Sequence, residues 1–184
     1  MARAQTPPPG RLIVSIIYSS MDALADGLKA LEKKFGRVQY ETLEIECAEA
    51  SEYREEMGDG LLRRFFSFEK EVPRDALPAL KAACSKIEAQ FADVTDNYLF
   101  RTVNIDPGIL TPSNVVIATH KEFNHRMYLR DGVYAELALI YSRGTFCRLP
   151  WTASDYCDEE AIGFFRRVRD SFEIISAKQE SLKL

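Results

Sequence analysis

Residues 11–46 have the sequence RLIVSIIYSSMDALADGLKALEKKFGRVQYETLEIE, and the pattern within them determines the predicted fold. The first nine residues are mostly apolar and rich in β-branched side chains, which predicts a buried strand. Apolar residues then recur at helical spacing up to Phe35, after a capping Ser20 and before Gly36, which ends the helix. The alternation in residues 38–46 predicts a second strand with one solvent-exposed face.

A second strand-helix-strand pattern follows a polar loop. Residues 47–62 are acidic and end near two glycines, which is typical of a long loop with a helical turn. Residues 63–71 predict a third strand, residues 73–91 a second helix and residues 99–106 a fourth strand. The order β-α-β-β-α-β predicts a ferredoxin-like arrangement with both helices on one face of the sheet.

The second half of the sequence predicts an extension of this sheet. Asp131-Gly132 and Arg143-Gly144 separate three alternating segments, and Asp-Gly is typical of a two-residue hairpin turn. A last amphipathic segment predicts a C-terminal helix, with Trp151 anchoring its start and Thr152 or Ser154 as its cap. The conformation of residues 111–120 stays open, because Thr-Pro favours the start of a helix and VVIAT favours a strand.

These patterns together predict an α+β protein with one domain over residues 11–184, preceded by a flexible tail at residues 1–10. Its expected parts are a ferredoxin-like βαββαβ core, a C-terminal three-strand antiparallel meander and a terminal helix.

Composition narrows the function classes. A formal charge of −4 and a pI near 5.4 disfavour a general nucleic-acid binder, which normally has a basic excess. No apolar run has the length of a membrane-spanning helix. The four cysteines form no C-x-x-C pair and the N-terminus has no apolar leader, so we expect four free thiols and a cytoplasmic location.

Both histidines of the chain, His120 and His125, lie in one short segment, five residues apart. A two-residue turn at Asp131-Gly132 would place Met127 opposite Glu136 and would put His125 on the same face as Glu136. Such a contact could orient the imidazole or raise its pKa. Because the spacing of the histidines aligns them on neither a helix nor a strand, we assign no metal ligand, and the sequence leaves the cofactor unknown.

These polar groups predict one pocket, to which Asp106 contributes from a Pro-Gly turn after the fourth strand. Imidazoles beside carboxylates suit acid–base chemistry, whereas Lys and Arg suit the binding of an anion. The candidate catalytic residues are Asp106, His120, His125 and Glu136. The candidate ligand-binding residues are Arg64, Lys121 and Arg126, although Arg63 and Arg64 could instead pair with Glu55 or Glu56.

Four segments resemble the domain of unknown function 4416 family. They are PPGRLIVSIIYS, YREEMGDGLLRRFFSFEKEV, RTVNIDPGILTPSNVVIATHKEFNHRMYLRDGVYAELALIY and GTFCRLPWTASDY. The resemblance spans nearly the whole chain and implies no catalytic residues. Some members have a GTP-binding label, but this sequence lacks G-x-x-x-x-G-K-[ST], whose backbone N–H groups and Lys bind phosphates, so we do not predict GTP binding.

Three functions are compatible with the sequence. The leading hypothesis is a cytosolic protein that binds a small anionic ligand, a nucleotide or a phosphorylated metabolite, near Asp106, His120, His125 and Glu136. The second is an enzyme that uses His120 or His125 as acid or base, with or without a metal. The third is a module for protein interaction or self-association without chemistry. A tightly packed surface around His125 without a cavity would favour the third hypothesis.

Overall fold

The structure, a computed structural model, describes residues 3–95 and 98–181. Within these ranges the side chains are described except at 94–95, 99 and 173–181. The outer ends of the predicted tail and of the predicted domain, residues 1–2 and 182–184, lie outside the described residues. Residues 3–9 are exposed and form neither helix nor strand.

The described chain contains strands and helices in mixed order. The strands are β1 (Gly10–Tyr18), β2 (Val38–Glu41), β3 (Ile45–Glu46), β4 (Leu62–Val72), β5 (Ala92–Thr95), β6 (Tyr98–Arg101), β7 (Val103–Leu110), β8 (Asn114–Thr119), β9 (Met127–Arg130), β10 (Val133–Ser142) and β11 (Thr145–Arg148). The α-helices are α1 (Met21–Phe35), α2 (Ala50–Met57), α3 (Leu77–Glu88) and α4 (Glu159–Ser181). None of these helices has the length and apolar character needed to cross a membrane.

Most of the strands form one large antiparallel sheet with the order β11-β10-β8-β7-β1-β4-β2. β3 also pairs with β4, and β9 also pairs with β10. The central strand β1 is antiparallel to both of its neighbours, β4 and β7. The protein is therefore a mixed α+β protein with a large antiparallel sheet and, over the described residues, four α-helices.

Helices cover both faces of this sheet. Leu12, Val14 and Ile16 of β1 pack with α1 and α3 on one face. Ile13 packs with α4 on the opposite face, and Ile17 packs there with α2. A strand buried on both faces has a continuous apolar sequence, which explains the composition of β1.

Two boundary predictions are confirmed in detail. Ser20 caps α1, because its Oγ accepts a hydrogen bond of 3.2 Å from the Ala23 N–H. Gly36 follows the helix with a φ of 97°, a left-handed value that favours glycine. Both predicted hairpin turns also form, with positive φ at Asp131-Gly132 and at Arg143-Gly144.

The predicted fourth strand is displaced. Residues 98–101 form β6, which pairs with β5 in a separate two-stranded sheet, and the strand beside β1 is β7, Val103–Leu110. Pro107 and Gly108 therefore lie inside a strand, and the turn predicted after Asp106 is wrong. Pro107 is tolerated there because β8 pairs with β7 only at Gly108–Leu110, so the missing N–H removes no bond to β8.

Three further segments differ from the sequence-based expectation or resolve it. The open assignment of residues 111–120 is resolved as the strand β8, Asn114–Thr119. The predicted loop at residues 47–62 contains a regular helix, α2, whose Tyr53 and Met57 pack against the sheet. The predicted second strand is interrupted after Glu41 and resumes as the short strand β3.

The register predicted for the β9–β10 hairpin is wrong by one residue. A bulge between Val133 and Tyr134 pairs Met127 with Ala135 rather than with Glu136. His125 precedes β9 and lies in the loop between β8 and β9. Its position relative to Glu136 is therefore set by the loop and not by strand pairing.

A gap opens between β7 and β8 beyond Gly108, and α3 fills it with polar side chains. The Ile105 N–H donates a hydrogen bond of 2.7 Å to Glu88 Oε1, and the Ile105 carbonyl accepts one of 3.1 Å from Lys81 Nζ. In an antiparallel strand both groups of one residue point to the same side. Lys81 and Glu88 therefore replace the backbone partners that β8 would supply, because a buried unpaired peptide group is costly.

Candidate functional site

A cavity of about 210 Å³ lies on the face of the sheet that α2 and α4 cover. Its walls come from α2, from β7, β8 and β10, from the β8–β9 loop and from the segment after β11. Five of the residues predicted from the sequence contribute to its lining: Asp106, Lys121, His125, Arg126 and Glu136.

The buried carboxylate of Glu136 organises one wall of the cavity. Glu136 Oε2 lies 3.2 Å from His125 Nε2 and accepts a hydrogen bond of 2.6 Å from Arg126 Nε. Arg126 Nη1 donates a further hydrogen bond of 3.0 Å to the Lys121 carbonyl. The carboxylate thus fixes the β8–β9 loop against β10, with the guanidinium and the imidazole side by side.

An aromatic stack continues this wall. The rings of His125 and Trp151 are nearly parallel, at 12°, with their centroids 5.1 Å apart, and the ring of Phe123 lies 5.8 Å from His125 on a tilted plane. Trp151 Nε1 donates a hydrogen bond of 2.9 Å to the Leu137 carbonyl, which holds the indole on the edge of β10. Flat rings in this arrangement offer an apolar surface to a ligand.

The sequence predicts that Trp151 and Thr152 begin the C-terminal helix, and this prediction is wrong. Thr152 Oγ1 donates a hydrogen bond of 2.6 Å to the Ala138 carbonyl, so this segment covers the part of β10 between β9 and β11. α4 begins at Glu159, and the side chain of Asp158 accepts a hydrogen bond from the Glu160 N–H. Asp158 is therefore the residue that caps α4.

The inner end of the cavity contains a buried arginine, Arg63. Its Nη1 donates a hydrogen bond of 2.9 Å to Ser15 Oγ, and its Nη2 donates one of 3.0 Å to Glu49 Oε2. Its Nε lies 2.7 Å from Asp155 Oδ2, although the N–H is not directed at a hydrogen-bond acceptor. This contact is an ion pair without a hydrogen bond. The guanidinium is therefore committed to the protein at all three nitrogens.

Asp106 is also paired. Its Oδ1 lies 2.7 Å from Lys81 Nζ, and its Oδ2 accepts a hydrogen bond of 2.7 Å from Asn104 Nδ2. Burial by itself would raise the pKa of Asp106, but the charge of Lys81 and the hydrogen bonds from Lys81 and Asn104 outweigh it. The pKa therefore lies below its ordinary value, and the carboxylate stays charged.

Two predicted site residues lie elsewhere. His120 Nδ1 is 2.9 Å from the Gly132 carbonyl and Nε2 is 3.3 Å from Ser85 Oγ, so this imidazole ties the hairpin turn to α3. Arg64 donates a hydrogen bond of 2.7 Å to the Thr42 carbonyl and pairs with Glu41, outside the cavity lining. The two histidines therefore do not share a site.

Sequence reasoning missed most of the inner residues of the cavity and considered Arg63 only together with Arg64, as a possible anion-binding pair. Arg63, next to the predicted Arg64, lines it together with Glu49, Tyr53 and Tyr156. Alternation along β4 separates Arg63 and Phe65 from Arg64 and Phe66. Because β4 is covered on both faces, this alternation could not identify the face that borders the cavity.

No three His, Cys, Asp or Glu side chains within the described ranges form a group suited to a metal ion. None of the four cysteines is joined in a disulfide: Cys47 and Cys84 are buried, and Cys147 and Cys157 are half-buried. The polar groups of the cavity are instead arranged as ion pairs, each cation lying next to a carboxylate.

Fold and site together define an α+β protein with an antiparallel sheet and a charge-rich cavity on one of its faces. The chain belongs to the DUF4416 family, a domain of unknown function, whose family model matches residues 8–172. Comparisons with curated proteins and with solved structures found no match.

Proposed function

We propose that the protein binds a small metabolite with an anionic group, such as a phosphate ester, in the cavity beside His125. The observation that supports this most directly is the position of Arg126 and His125, both held by the buried Glu136 at a cavity wall. Such pre-organised polar groups around a cavity are typical of binding sites.

The size of the cavity favours a small ligand. Its volume of about 210 Å³ corresponds to about seven water molecules at roughly 30 Å³ each. Pockets for drug-sized ligands range from about 300 to about 1,000 Å³. A phosphorylated metabolite of few atoms therefore suits this cavity better than a nucleotide does.

Two cations can contact an anionic group at this wall. Arg126 uses Nε and Nη1 for contacts within the protein, and its Nη2 has no partner among the described residues. Lys121 pairs with Glu52 at 2.8 Å, but both side chains are about half exposed, and such surface pairs exchange partners at little cost. The rings of His125 and Trp151 then provide the contact for the apolar part of the ligand.

Ligand-dependent thermal unfolding tests this proposal, with inorganic phosphate and ethyl phosphate as probes. A probe at ten times its Kd stabilises the folded state by about 1.4 kcal/mol. For a chain of this size the melting temperature then rises by about 3–6 °C.

A matched pair of variants locates the binding site. Lys121→Gln should weaken phosphate binding about tenfold, because it removes a charge at the cavity. Arg130→Gln removes an exposed positive charge from the neighbouring strand β9 and should leave binding unchanged. An absence of any shift in the unmodified protein, or an equal loss in both variants, would contradict the proposal.

The structure offers less for catalysis by the histidines. Each imidazole has a neighbour at both ring nitrogens: Glu136 and Asn124 for His125, and Ser85 and Gly132 for His120. A general base needs a ring nitrogen within reach of the substrate proton. We therefore prefer binding to acid–base chemistry.

Self-association is a second candidate function, favoured by the exposed strand β9. Met127 and Tyr128 are 64 % and 60 % exposed, and among the described strands β9 pairs only with β10. An apolar edge strand is a ready partner for a second copy of the chain. Sedimentation velocity over a range of concentrations should detect a dimer that Tyr128→Lys abolishes, and a monomer throughout would eliminate this function.

We further propose that β1, α1, β2, β4, α3 and β7 constitute a ferredoxin-like core. The neighbour order β7-β1-β4-β2 supports this, because it interleaves two strand–helix–strand units. A cytoplasmic location is also proposed, since the partly exposed thiols of Cys147 and Cys157 suit a reducing compartment.

A further inference from the structure

The inner end of the cavity has polar groups that the protein itself leaves without partners. Tyr53 and Tyr156 are 7 % and 3 % exposed and line the cavity. No hydrogen bond to either hydroxyl exists within the part of the chain that the structure describes. Hydroxyl groups that border a cavity without a protein partner are commonly satisfied by water or by a ligand.

Charged side chains of both signs surround these two hydroxyls, and the cations Arg101 and Lys121 lie over the ring of Tyr53. Among the direct ion pairs at this end, the three carboxylates of Glu49, Asp106 and Asp155 share two cations, Arg63 and Lys81. Glu49 uses Oε2 for Arg63, and its Oε1 has no partner among the described residues. The buried Asp155 Oδ1, outside the cavity lining, also has no hydrogen-bond partner.

Burial and neighbouring charges together determine the ionisation of these groups. Burial raises the pKa of Glu49, and although Arg63 lowers it, the charges of Asp155, Glu52 and Asp106 raise it further. Burial, together with the nearby carboxylates Asp106 and Glu49, also raises the pKa of Tyr53. Burial disfavours a charge of either sign, but the contribution of the neighbouring carboxylates to both pKa values is one that an additional positive charge would offset.

We infer that the inner end of the cavity binds a protonated amino group, with Glu49 as its counter-charge and the hydroxyls of Tyr53 and Tyr156 as hydrogen-bond acceptors. This inference rests on the proposed function, because it assigns the second end of the same ligand. The ligand is then a small zwitterion, with its anionic end at Arg126 and Lys121. A second anionic group at the inner end is disfavoured by the carboxylates that surround it.

Two pairs of probes test the inference by isothermal titration calorimetry. Phosphoethanolamine and ethyl phosphate differ only by an amino group, and so do β-alanine and propionate. We expect the amine in each pair to bind at least about tenfold more tightly, as a charge-assisted hydrogen bond to a carboxylate would provide. Glu49→Gln should abolish this preference.

Matched variants separate binding from folding. Glu55→Gln removes an exposed carboxylate from α2, the helix that follows Glu49. Glu55 lies outside the cavity lining, so this variant should retain the preference for the amine. Tyr53→Phe and Tyr156→Phe remove only a hydroxyl each and should reduce the preference, so they serve as tests if Glu49→Gln does not fold.

The outcomes distinguish this inference from the proposed function. If ethyl phosphate and phosphoethanolamine bind equally well, or if the preference survives in Glu49→Gln, the inference is wrong and the proposed function stands. If none of the four probes binds to the unmodified protein, both are overturned.

Discussion

Lys81 of α3 and Asp106 of β7 form an ion pair of 2.7 Å through the gap between β7 and β8. Lys81 is almost fully buried, and its ammonium also donates a hydrogen bond to the Ile105 carbonyl. Since α3 covers one face of the sheet and Asp106 lines the cavity on the other, this pair joins the two layers. The cavity thus depends on a helix that contributes nothing to its lining.

Replacing Lys81 should destabilise the fold strongly. Lys81→Met leaves the Asp106 carboxylate and the Ile105 carbonyl without their partner, and breaking a buried pair in this way costs about 3–5 kcal/mol. Urea unfolding measures the change in free energy. Lys86→Met, on the exposed side of the same helix, is the control and should change it by less than about 0.5 kcal/mol. Equal effects of both substitutions would refute the structural role of the pair.

The same pair predicts how stability depends on pH. The pKa of Asp106 is lowered from its ordinary 3.8, so its stabilising contribution is complete above this value and is lost as the pH falls below it. Burial opposes the charge of Lys81, but Asp106 and Glu88 raise its pKa above the ordinary 10.5. Its contribution is therefore complete below this value and is lost as the pH rises further.

Urea unfolding from about pH 2.5 to about pH 11.5 checks both limbs of this dependence. Lys81→Met should flatten the curve at its acid and alkaline ends, because Asp106 then lacks the cation that lowers its pKa and residue 81 no longer titrates. A variant curve that runs parallel to that of the unmodified protein would show that the pair does not cause the dependence.

Replacing each of two glycines by alanine should change the stability of the protein in opposite directions. A Cβ at Gly108 would lie 2.9 Å from the Val116 carbonyl oxygen, where β7 and β8 approach each other, so Gly108→Ala should cost about 1–3 kcal/mol. A Cβ at Gly163, within α4, would meet nothing closer than 3.6 Å. Gly163→Ala should stabilise by about 0.5–1 kcal/mol, since alanine favours a helix. Thermal unfolding of both variants measures the difference, and a shared sign would contradict the predicted packing at Gly108.

Trp151 should report on the cavity by its fluorescence. It is the only tryptophan of the chain, it lines the cavity, and its ring stacks on His125. Binding of ethyl phosphate or phosphoethanolamine should therefore change its emission, with a midpoint equal to the calorimetric Kd. A saturating calorimetric titration without any change in emission would place the ligand away from this wall.

The sequence predicted correctly those elements whose conformation depends on residues close by in the sequence. The apolar run of β1, the cap of α1 at Ser20 and the two hairpin turns depend on neighbours in the sequence, and all of them form. The strand through Pro107 could not be predicted in this way. Its proline is acceptable only because β8, a distant segment, stops pairing at Gly108.

The candidate site was predicted only in part for the same reason. The proximity of His125 and Glu136 was expected from the hairpin register, yet a bulge changes that register and the loop brings the two together. The place of Arg63 at the site was not predicted because β4 is covered on both faces. Lys81 was not predicted because it belongs to α3, which packs on the face of the sheet opposite the cavity. Only the assembled sheet reveals that these elements meet at one gap.

The Ile105 N–H donates its hydrogen bond to Glu88, so the hydrogen exchange of this amide depends on a side chain of α3. Amide protons in a sheet normally exchange with solvent when strands separate, whereas this one is released when a carboxylate of the helix changes its rotamer. Deuterium uptake at this position therefore follows the side chain of Glu88 rather than the opening of β7. The amide resonance of Ile105 therefore reports on the packing of α3 against the sheet.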